Sequence, residues 1–267
     1  MNAVHSNTRE SGFSRSDALA TVGTLALMMG LLLSVAGGTR ASSDQVFCRA
    51  NLRHLGQSWQ TYALDHSGRV IGTPNGVPDL TFIAGEFWTG GWVSWDSTPT
   101  SSNVLSVLTP AFVPYVGRDP RVFRCPADRY LSSLQTARRW SSRVRSYSMN
   151  SCFGPRSQDL VSLRQFERLE DVPDPSHYFV LIEEHPDSIN DPTFFTTFQG
   201  ASGWVDLPAS HHERACNFLF ADAHVETHPW QSARTVIPVR FQFPIVTGTA
   251  KDPDFRWTYE HTSLPGR

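Results

Sequence analysis

Lysine is almost missing from this chain: of 267 residues only Lys251 is a lysine, and arginine supplies the other positive charges. Lys251 lies in an Ala-Lys-Asp-Pro stretch typical of a loop, which argues against Schiff-base chemistry and a phosphate-binding P-loop. Charged residues are also scarce, at 18%, and the net charge is −2. Because nucleic-acid-binding surfaces are normally basic, no nucleic-acid partner is predicted.

Common catalytic motifs are missing as well. The sequence contains neither a Gly-x-Ser-x-Gly nucleophile elbow nor an HExxH helix. A hydrolase constellation of Ser210, His212 and Asp222 is the alternative that these absences disfavour. The chain is therefore predicted not to be an enzyme, and no catalytic residue is assigned.

Cysteine is sparse, and no two cysteines form a CxxC pair, which argues against a zinc ribbon. An oxidising compartment would allow up to two disulfides in three full pairings, of which Cys125 with Cys152 is one guess. The other interpretation is that they are small buried thiols. The four cysteines are Cys48, Cys125, Cys152 and Cys216.

One long apolar stretch dominates the N-terminal region. Ala18 to Thr39 comprises 22 uncharged residues, enough to cross a hydrocarbon core of about 30 Å as a helix. A secretory signal peptide cleaved near Thr39-Arg40-Ala41, a plain signal anchor and a more specialised membrane helix all fit this pattern.

The flanking residues resemble the prepilin leader of type IV pilins and type II secretion pseudopilins. Residues 1–12 are polar and end in Gly12, Phe13 follows, and Asp17 occupies the fifth position after the glycine. In that family, cleavage after the glycine exposes an N-methylated aromatic residue. The resemblance thus implies a prepilin-like leader at 1–12, a transmembrane helix at 13–39 and a globular domain at 40–267. Asp17 replaces the usual glutamate, and Arg15 and Ser16 replace apolar residues.

A second helix is predicted over residues 42–66. Its apolar residues recur at alternating steps of four and three, which places them on one stripe. No proline interrupts residues 13–66, so this amphipathic helix is expected to continue the apolar one. The stripe consists of Cys48, Leu52, Leu55, Trp59 and Tyr62.

Further motifs resemble a bacterial group of pilin-like proteins. They are Cys48-Arg-Ala-Asn-Leu-Arg-His-Leu-Gly56, Phe123-Arg-Cys-Pro-Ala-Asp128, Ser146-Tyr-Ser-Met-Asn150, and a His-x9-Asp-Gly-like pair, His212 and Asp222, followed by Ala223. The resemblance implies an α+β pilin-like fold. In it a long N-terminal helix, transmembrane and then amphipathic, packs on an antiparallel β-sheet with loop-rich insertions.

The C-terminal third contains the candidate metal ligands. Strands are predicted at Tyr178–Ile182, Cys216–Phe220 and Val225–His228, the last two forming a hairpin. His212, Asp222 and His224, with Glu183 or Glu184 nearby, could ligate zinc or another divalent ion. A hairpin stabilised by a His–Asp hydrogen bond needs no metal, so no cofactor is required by the sequence.

The function that the resemblance implies is a membrane-anchored, pseudopilin-type envelope protein of a type II secretion or type IV pilus-like system. It would cross the cytoplasmic membrane once, with its globular domain outside the cytoplasm. Its expected partners are the membrane, other pilin-like subunits and the prepilin peptidase, which would process the chain at Gly12 and Phe13. The alternative is a membrane-tethered module that binds a glycan through the aromatic residues of Thr81–Asp96, or binds a metal.

Overall fold

A computed structural model describes residues 14–73, 87–109, 111–154, 163–197, 203–243 and 250–265. Its contacts divide the chain into two units, residues 1–43 and 44–267. The predicted processing residues Gly12 and Phe13 lie outside the described residues, and the side chain of Asp17 is not described.

Helix α1, Arg15–Asp65, is by far the longest element. The predicted stripe of its second half is buried, from Cys48 at 0% exposure to Tyr62 at 4%. The helix ends near Gly68, whose φ of +85° suits glycine and whose N–H donates to the carbonyl of Ala63 at 2.7 Å. The remaining α-helices are short: α2 Val113–Val116, α3 Ser133–Ala137 and α4 Pro253–Glu260.

A five-stranded sheet forms the centre of residues 44–267, in the order β3-β1-β2-β4-β5. The α1 stripe shares one buried cluster with residues of β1 and β2, while a second cluster, which includes Phe179 and Phe218, contains residues of α4. The strands are β1 Tyr147–Asn150, β2 Phe179–Glu183, β3 Thr193–Phe194, β4 Ala215–Phe220 and β5 Val225–Pro229.

The prediction of an antiparallel sheet was wrong, because the sheet is mixed. β1–β2, β2–β4 and β4–β5 are antiparallel, but β1 and β3 are parallel, with Met149 opposite Thr193. The end of β2 lies beside the start of β1, where Glu183 pairs with Tyr147. The chain therefore leaves β2 at the end of the sheet where β1 begins. When it forms β3 on the other side of β1, it starts from this same end and runs in the same direction as β1.

The prediction of a transmembrane helix at 13–39 was also wrong. Among the described residues, no helix combines the length and the apolar character that crossing a bilayer requires.

The guessed disulfide between Cys125 and Cys152 is not formed. All four cysteines belong to the described residues, and each is free and buried. Cys152 packs with Leu163 and Phe195 in a cluster of its own, whereas Cys125 belongs to the main core. The interpretation as buried thiols therefore describes them better.

Candidate metal centre

Four segments that are distant in sequence bring metal-binding side chains together. One ligand atom from each of four residues lies within 4.8 Å of all the others, and all four residues are buried. We call this group the CCEH centre. It consists of Cys48 in α1, Cys125 after the turn Pro120–Phe123, Glu183 at the end of β2 and His212 just before β4.

The contacts within the CCEH centre run through Glu183 and His212. Oε1 of Glu183 lies 2.9 Å from Nε2 of His212 and accepts from the Cys48 thiol at 3.0 Å. The same Nε2 lies 3.4 Å from Sγ of Cys125. Glu183 and His212 thus contact each other, and each of them contacts one of the two thiols.

Local structure explains why these side chains converge. Cys48 lies on the stripe with which α1 faces the sheet, and Glu183 follows Leu181 by two residues, on the same side of β2. His212 is fixed by a tight turn, in which its N–H and carbonyl bond to the carbonyl and N–H of Ala215. Glu213 within that turn has a φ of +55°, the left-handed conformation that lets the chain reverse.

A second layer of hydrogen-bond donors surrounds the ligand atoms. The Tyr147 hydroxyl donates to Sγ of Cys48 at 3.2 Å, and Nδ2 of Asn217 donates to the same sulfur at 3.3 Å. The backbone N–H of Asn217 donates to Oε2 of Glu183 at 2.7 Å. Thr227 donates to Oδ1 of Asn217 at 2.6 Å, which orients the amide so that its NH₂ faces the sulfur. Such outer contacts typically orient metal ligands.

Burial and the contact between Glu183 and His212 set the charges of the CCEH centre. Burial raises the pKa of the Cys48 thiol to about 11 and the pKa of Cys125 well above its usual value. Burial also raises the pKa of Glu183, but the charge and hydrogen bond of His212 outweigh it and bring that pKa to about 2. Burial lowers the pKa of His212, but hydrogen bonds with Cys125 and Glu183 raise it to about 10. A buried carboxylate is thus already balanced by positive charge.

The dimensions of the CCEH centre suit a small tetrahedral ion. Zinc–sulfur bonds of about 2.3 Å and zinc–nitrogen or –oxygen bonds of about 2.0–2.2 Å place neighbouring ligand atoms about 3.3–3.8 Å apart. Three of the separations among Cys48, Cys125, Glu183 and His212 are 2.9–3.4 Å, somewhat shorter than or close to that spacing, and the remaining ones are no longer than 4.8 Å. Two thiols, an imidazole and a carboxylate form a donor set that zinc accepts.

Asp222 and His224, the other two predicted ligands, lie elsewhere. They occupy the hairpin turn after β4, whereas His212 precedes β4, so the six-residue strand separates them from His212 by roughly 16 Å. Nδ1 of His224 is 2.5 Å from Oδ1 of Asp222, and both side chains are about 40% exposed. Within the described residues, neither belongs to a group of three or more candidate ligands.

The hydrolase constellation is not assembled either, because Ser210 and His212 lie at the opposite end of β4 from Asp222. The aromatic residues of the glycan alternative differ in exposure: Trp88 is fully buried, Phe87 and Trp95 are half-buried and Trp92 is 38% exposed, while residues 81–86 lie outside the described part.

Sequence reasoning named His212 and offered Glu183 as a neighbour, but it missed both cysteines. The sequence places Cys48 on the apolar stripe and both cysteines in pilin-like motifs or candidate disulfides, but it does not identify either as a metal ligand. Two signals point to them: a cysteine on the sheet-facing side of an amphipathic helix, and a carboxylate ending an otherwise apolar strand. A buried carboxylate requires a cationic or hydrogen-bonding partner.

No known protein family, curated protein or solved structure matches this chain. The chemistry assigned to the CCEH centre therefore depends on its own geometry.

Proposed function

We propose that this protein is a subunit of a pilin-like envelope assembly, and that a divalent metal ion stabilises its globular part. The assembly role is supported by helix α1, which is continuous from Arg15 to Asp65. Its second half buries a stripe within the globular unit. Its first half exposes large apolar side chains, including Leu19 at 75% and Leu27 at 66%.

Neighbouring copies of the same segment are the partner that this part of α1 fits. Leu19, Val22, Leu25, Leu27 and Met29 are all more than half exposed, and together they lie on several sides of the helix. A helix that is apolar all round is normally surrounded by other apolar groups. Packing among several such helices, after removal of residues 1–12 by a prepilin peptidase, would cover these side chains.

Mass spectrometry of the chain isolated from its native host tests the assembly role. We expect a mature chain that starts at N-methylated Phe13 and forms crosslinks between copies through cysteines introduced at Leu25. Cysteine at the buried, sheet-facing Leu55 is the control, and it should give no crosslink between copies. A mature chain that starts near Ser42, or an intact chain without crosslinks, would contradict the proposal.

The metal role rests on one observation: Cys48, Cys125, Glu183 and His212 place four buried ligand atoms within 4.8 Å. Thiolate and imidazole ligands favour zinc over calcium or magnesium, which prefer oxygen ligands. All four coordination positions come from the protein, as in structural rather than catalytic zinc sites. The ion would connect α1, the segment after Phe123, β2 and the turn before β4, and so stabilise the packing of the helix on the sheet.

Metal analysis of the purified chain tests this role. We expect about one zinc ion per chain, and cobalt substitution should produce an intense thiolate-to-cobalt charge-transfer band. Cys125→Ala and His212→Gln should lose the metal and that band. Cys152→Ala is the matched control, because Cys152 is equally buried but packs in a separate cluster.

Two results would overturn the metal role. One is wild-type protein that takes up no zinc or cobalt after reduction and reconstitution. The other is metal that remains bound in Cys125→Ala and in His212→Gln. A disulfide between Cys48 and Cys125 in protein isolated under non-reducing conditions, with no metal bound after reduction, would also contradict it. None of these results bears on the assembly role, which depends on residues outside the CCEH centre.

A further inference from the structure

A cavity of about 470 Å³ on the globular unit is lined by four arginines, Arg121, Arg124, Arg139 and Arg143, and by Trp140. We call it the arginine cavity. Among the described residues that line it there is no aspartate or glutamate. The positive charge is notable because the whole chain carries a net charge of −2. Its volume lies in the range of small-molecule sites.

Two of the four arginines are already paired. The Arg121 guanidinium forms a bidentate ion pair with Asp119, the shorter contact being 2.7 Å. Arg143 donates to the carbonyl of Pro186 at 2.9 Å and lies 3.5 Å from Asp128. The charges of these two residues are therefore already balanced by carboxylates.

Arg124 and Arg139 are different. Within the part of the chain that the structure describes, neither guanidinium has a hydrogen bond or an ion pair; Arg124 is half-buried and Arg139 is exposed. A partly desolvated guanidinium gains most from a charged, hydrogen-bonding partner, and its planar fork matches carboxylate, phosphate and sulfate groups. The two free guanidinium groups in one cavity therefore point to an anionic ligand.

The rest of the cavity indicates what carries the anion. Trp140 is half-buried, and neither its ring nor its indole N–H has a partner among the described residues. The hydroxyls of Ser141 and Ser142 also line the cavity without a hydrogen bond to another described residue. A flat aromatic face beside free hydroxyls suits a ring that is apolar on its faces and polar at its edge. A sugar ring has this character, and the cavity is much larger than a single phosphate requires.

We propose that the arginine cavity binds an anionic carbohydrate, with Arg124 and Arg139 on its anionic group and Trp140 against its ring. The proposal is independent of the assembly and metal roles, since it uses none of their residues. It names a different site from the aromatic residues at 81–96. The shared ligand chemistry is a sugar that bears a carboxylate, phosphate or sulfate.

Titration of the full chain, followed by calorimetry and by tryptophan fluorescence, tests the proposal. The probes are glucuronate and glucose 6-phosphate, with glucose and inorganic phosphate as comparisons. We expect at least one anionic sugar to bind more tightly than both comparisons. Arg139→Gln and Trp140→Ala should each weaken binding about tenfold, equivalent to about 1.4 kcal/mol.

Arg138→Gln is the matched control, because Arg138 is an exposed neighbour that does not line the cavity, and its affinity should equal that of the wild type. Binding of neither anionic sugar at millimolar concentration would overturn the proposal. Equal affinity for inorganic phosphate, or loss of affinity in Arg138→Gln as large as in Arg139→Gln, would overturn it too. Equal affinity for inorganic phosphate would indicate a general anion site, and the loss in Arg138→Gln would indicate a non-specific charge effect.

Discussion

Gly56 of α1 packs directly on Leu219 of β4. A Cβ atom at residue 56 would lie 2.6 Å from Cδ1 of Leu219 and 3.2 Å from Cβ of Ala223. Glycine within a helix lowers helix stability by about 1 kcal/mol relative to alanine, so its presence here has to be explained by packing. The missing side chain is what allows the helix backbone to approach the sheet next to the stripe residue Leu55.

Substitution of Gly56 by alanine is therefore expected to destabilise the globular unit. The clash with Leu219 should exceed the gain in helix propensity and leave a net loss of about 1–3 kcal/mol in the free energy of unfolding. Denaturant unfolding followed by tryptophan fluorescence measures this loss. Gly23→Ala is the control in the same helix, because a Cβ there meets no described atom within 4 Å. Equal stability of Gly56→Ala and wild type would contradict the close packing.

The hairpin turn between β4 and β5 predicts a stabilising substitution. Ala223 occupies the position of the glycine in the His-x9-Asp-Gly pattern, and its φ of +69° lies in the left-handed region. This conformation costs an alanine roughly 1–2 kcal/mol. Glycine would avoid that cost, but its greater freedom in the unfolded chain cancels part of the gain. Ala223→Gly should thus raise the free energy of unfolding by about 0.5–1 kcal/mol.

Ala221→Gly in the same hairpin is the matched control for that substitution. Ala221 is buried and has no positive φ, so the change should reduce stability. Thermal and denaturant unfolding of both variants would separate relief of backbone strain from a general effect of glycine. A loss of stability in both variants would contradict the strained turn.

A buried ion pair gives a third prediction. Arg143 and Asp128 have side chains that are 1% and 4% exposed, and Ser146 donates to the same carboxylate oxygen at 2.8 Å. Asp128→Ala would leave the buried guanidinium without its counter-charge, so a loss of about 3–5 kcal/mol is expected. Arg121→Met, which removes an exposed pair with Asp119, should change stability little. Similar denaturation midpoints for the two variants would refute this ranking.

Local sequence patterns predicted four of the helices and strands described above, namely α1, β2, β4 and β5. The period of the stripe from Cys48 to Tyr62 identified the buried face of α1, because side chains three and four residues apart share one side of a helix. The apolar run at Tyr178–Ile182 located β2 within one residue, and the hairpin of β4 and β5 was placed equally well. These features depend on residues that are neighbours in sequence.

Neither the edge strand β3 nor the CCEH centre could be predicted from local sequence patterns, because both depend on contacts between distant parts of the chain. β3 has only two residues, and its parallel pairing follows from the path of the chain after Glu183 rather than from its own composition. Within the centre, Cys48 and Glu183 are separated by 135 residues. No spacing motif connects ligands so far apart, because tertiary packing alone brings α1, β2 and the turn at His212 together. The sequence pair His212 and Asp222 instead marks the two ends of β4.

Acid sensitivity of the β5–α4 contact is the last prediction. The Trp257 ring stacks on His228 and on His261, with ring centroids 3.7 Å and 4.0 Å away. Burial lowers the pKa of both histidines, although Glu226 opposes this at each of them and Asp254 opposes it at His228. The two histidines are therefore protonated more readily in the unfolded chain than in the folded one. The stability that they contribute as neutral side chains is complete above their unfolded pKa of about 6.5 and is lost as the pH falls below it.

His228→Phe should reduce that loss, because phenylalanine keeps the aromatic contact with Trp257 but cannot be protonated. Melting temperatures at pH 8.0, 6.5 and 5.5 measure the effect, and the pH 8.0 value corrects for any change in packing. We expect the variant to lose less stability than the wild type between about pH 6.5 and pH 5.5. Parallel pH profiles for the two proteins would contradict this, since they would mean that protonation of His228 does not weaken the contact between β5 and α4.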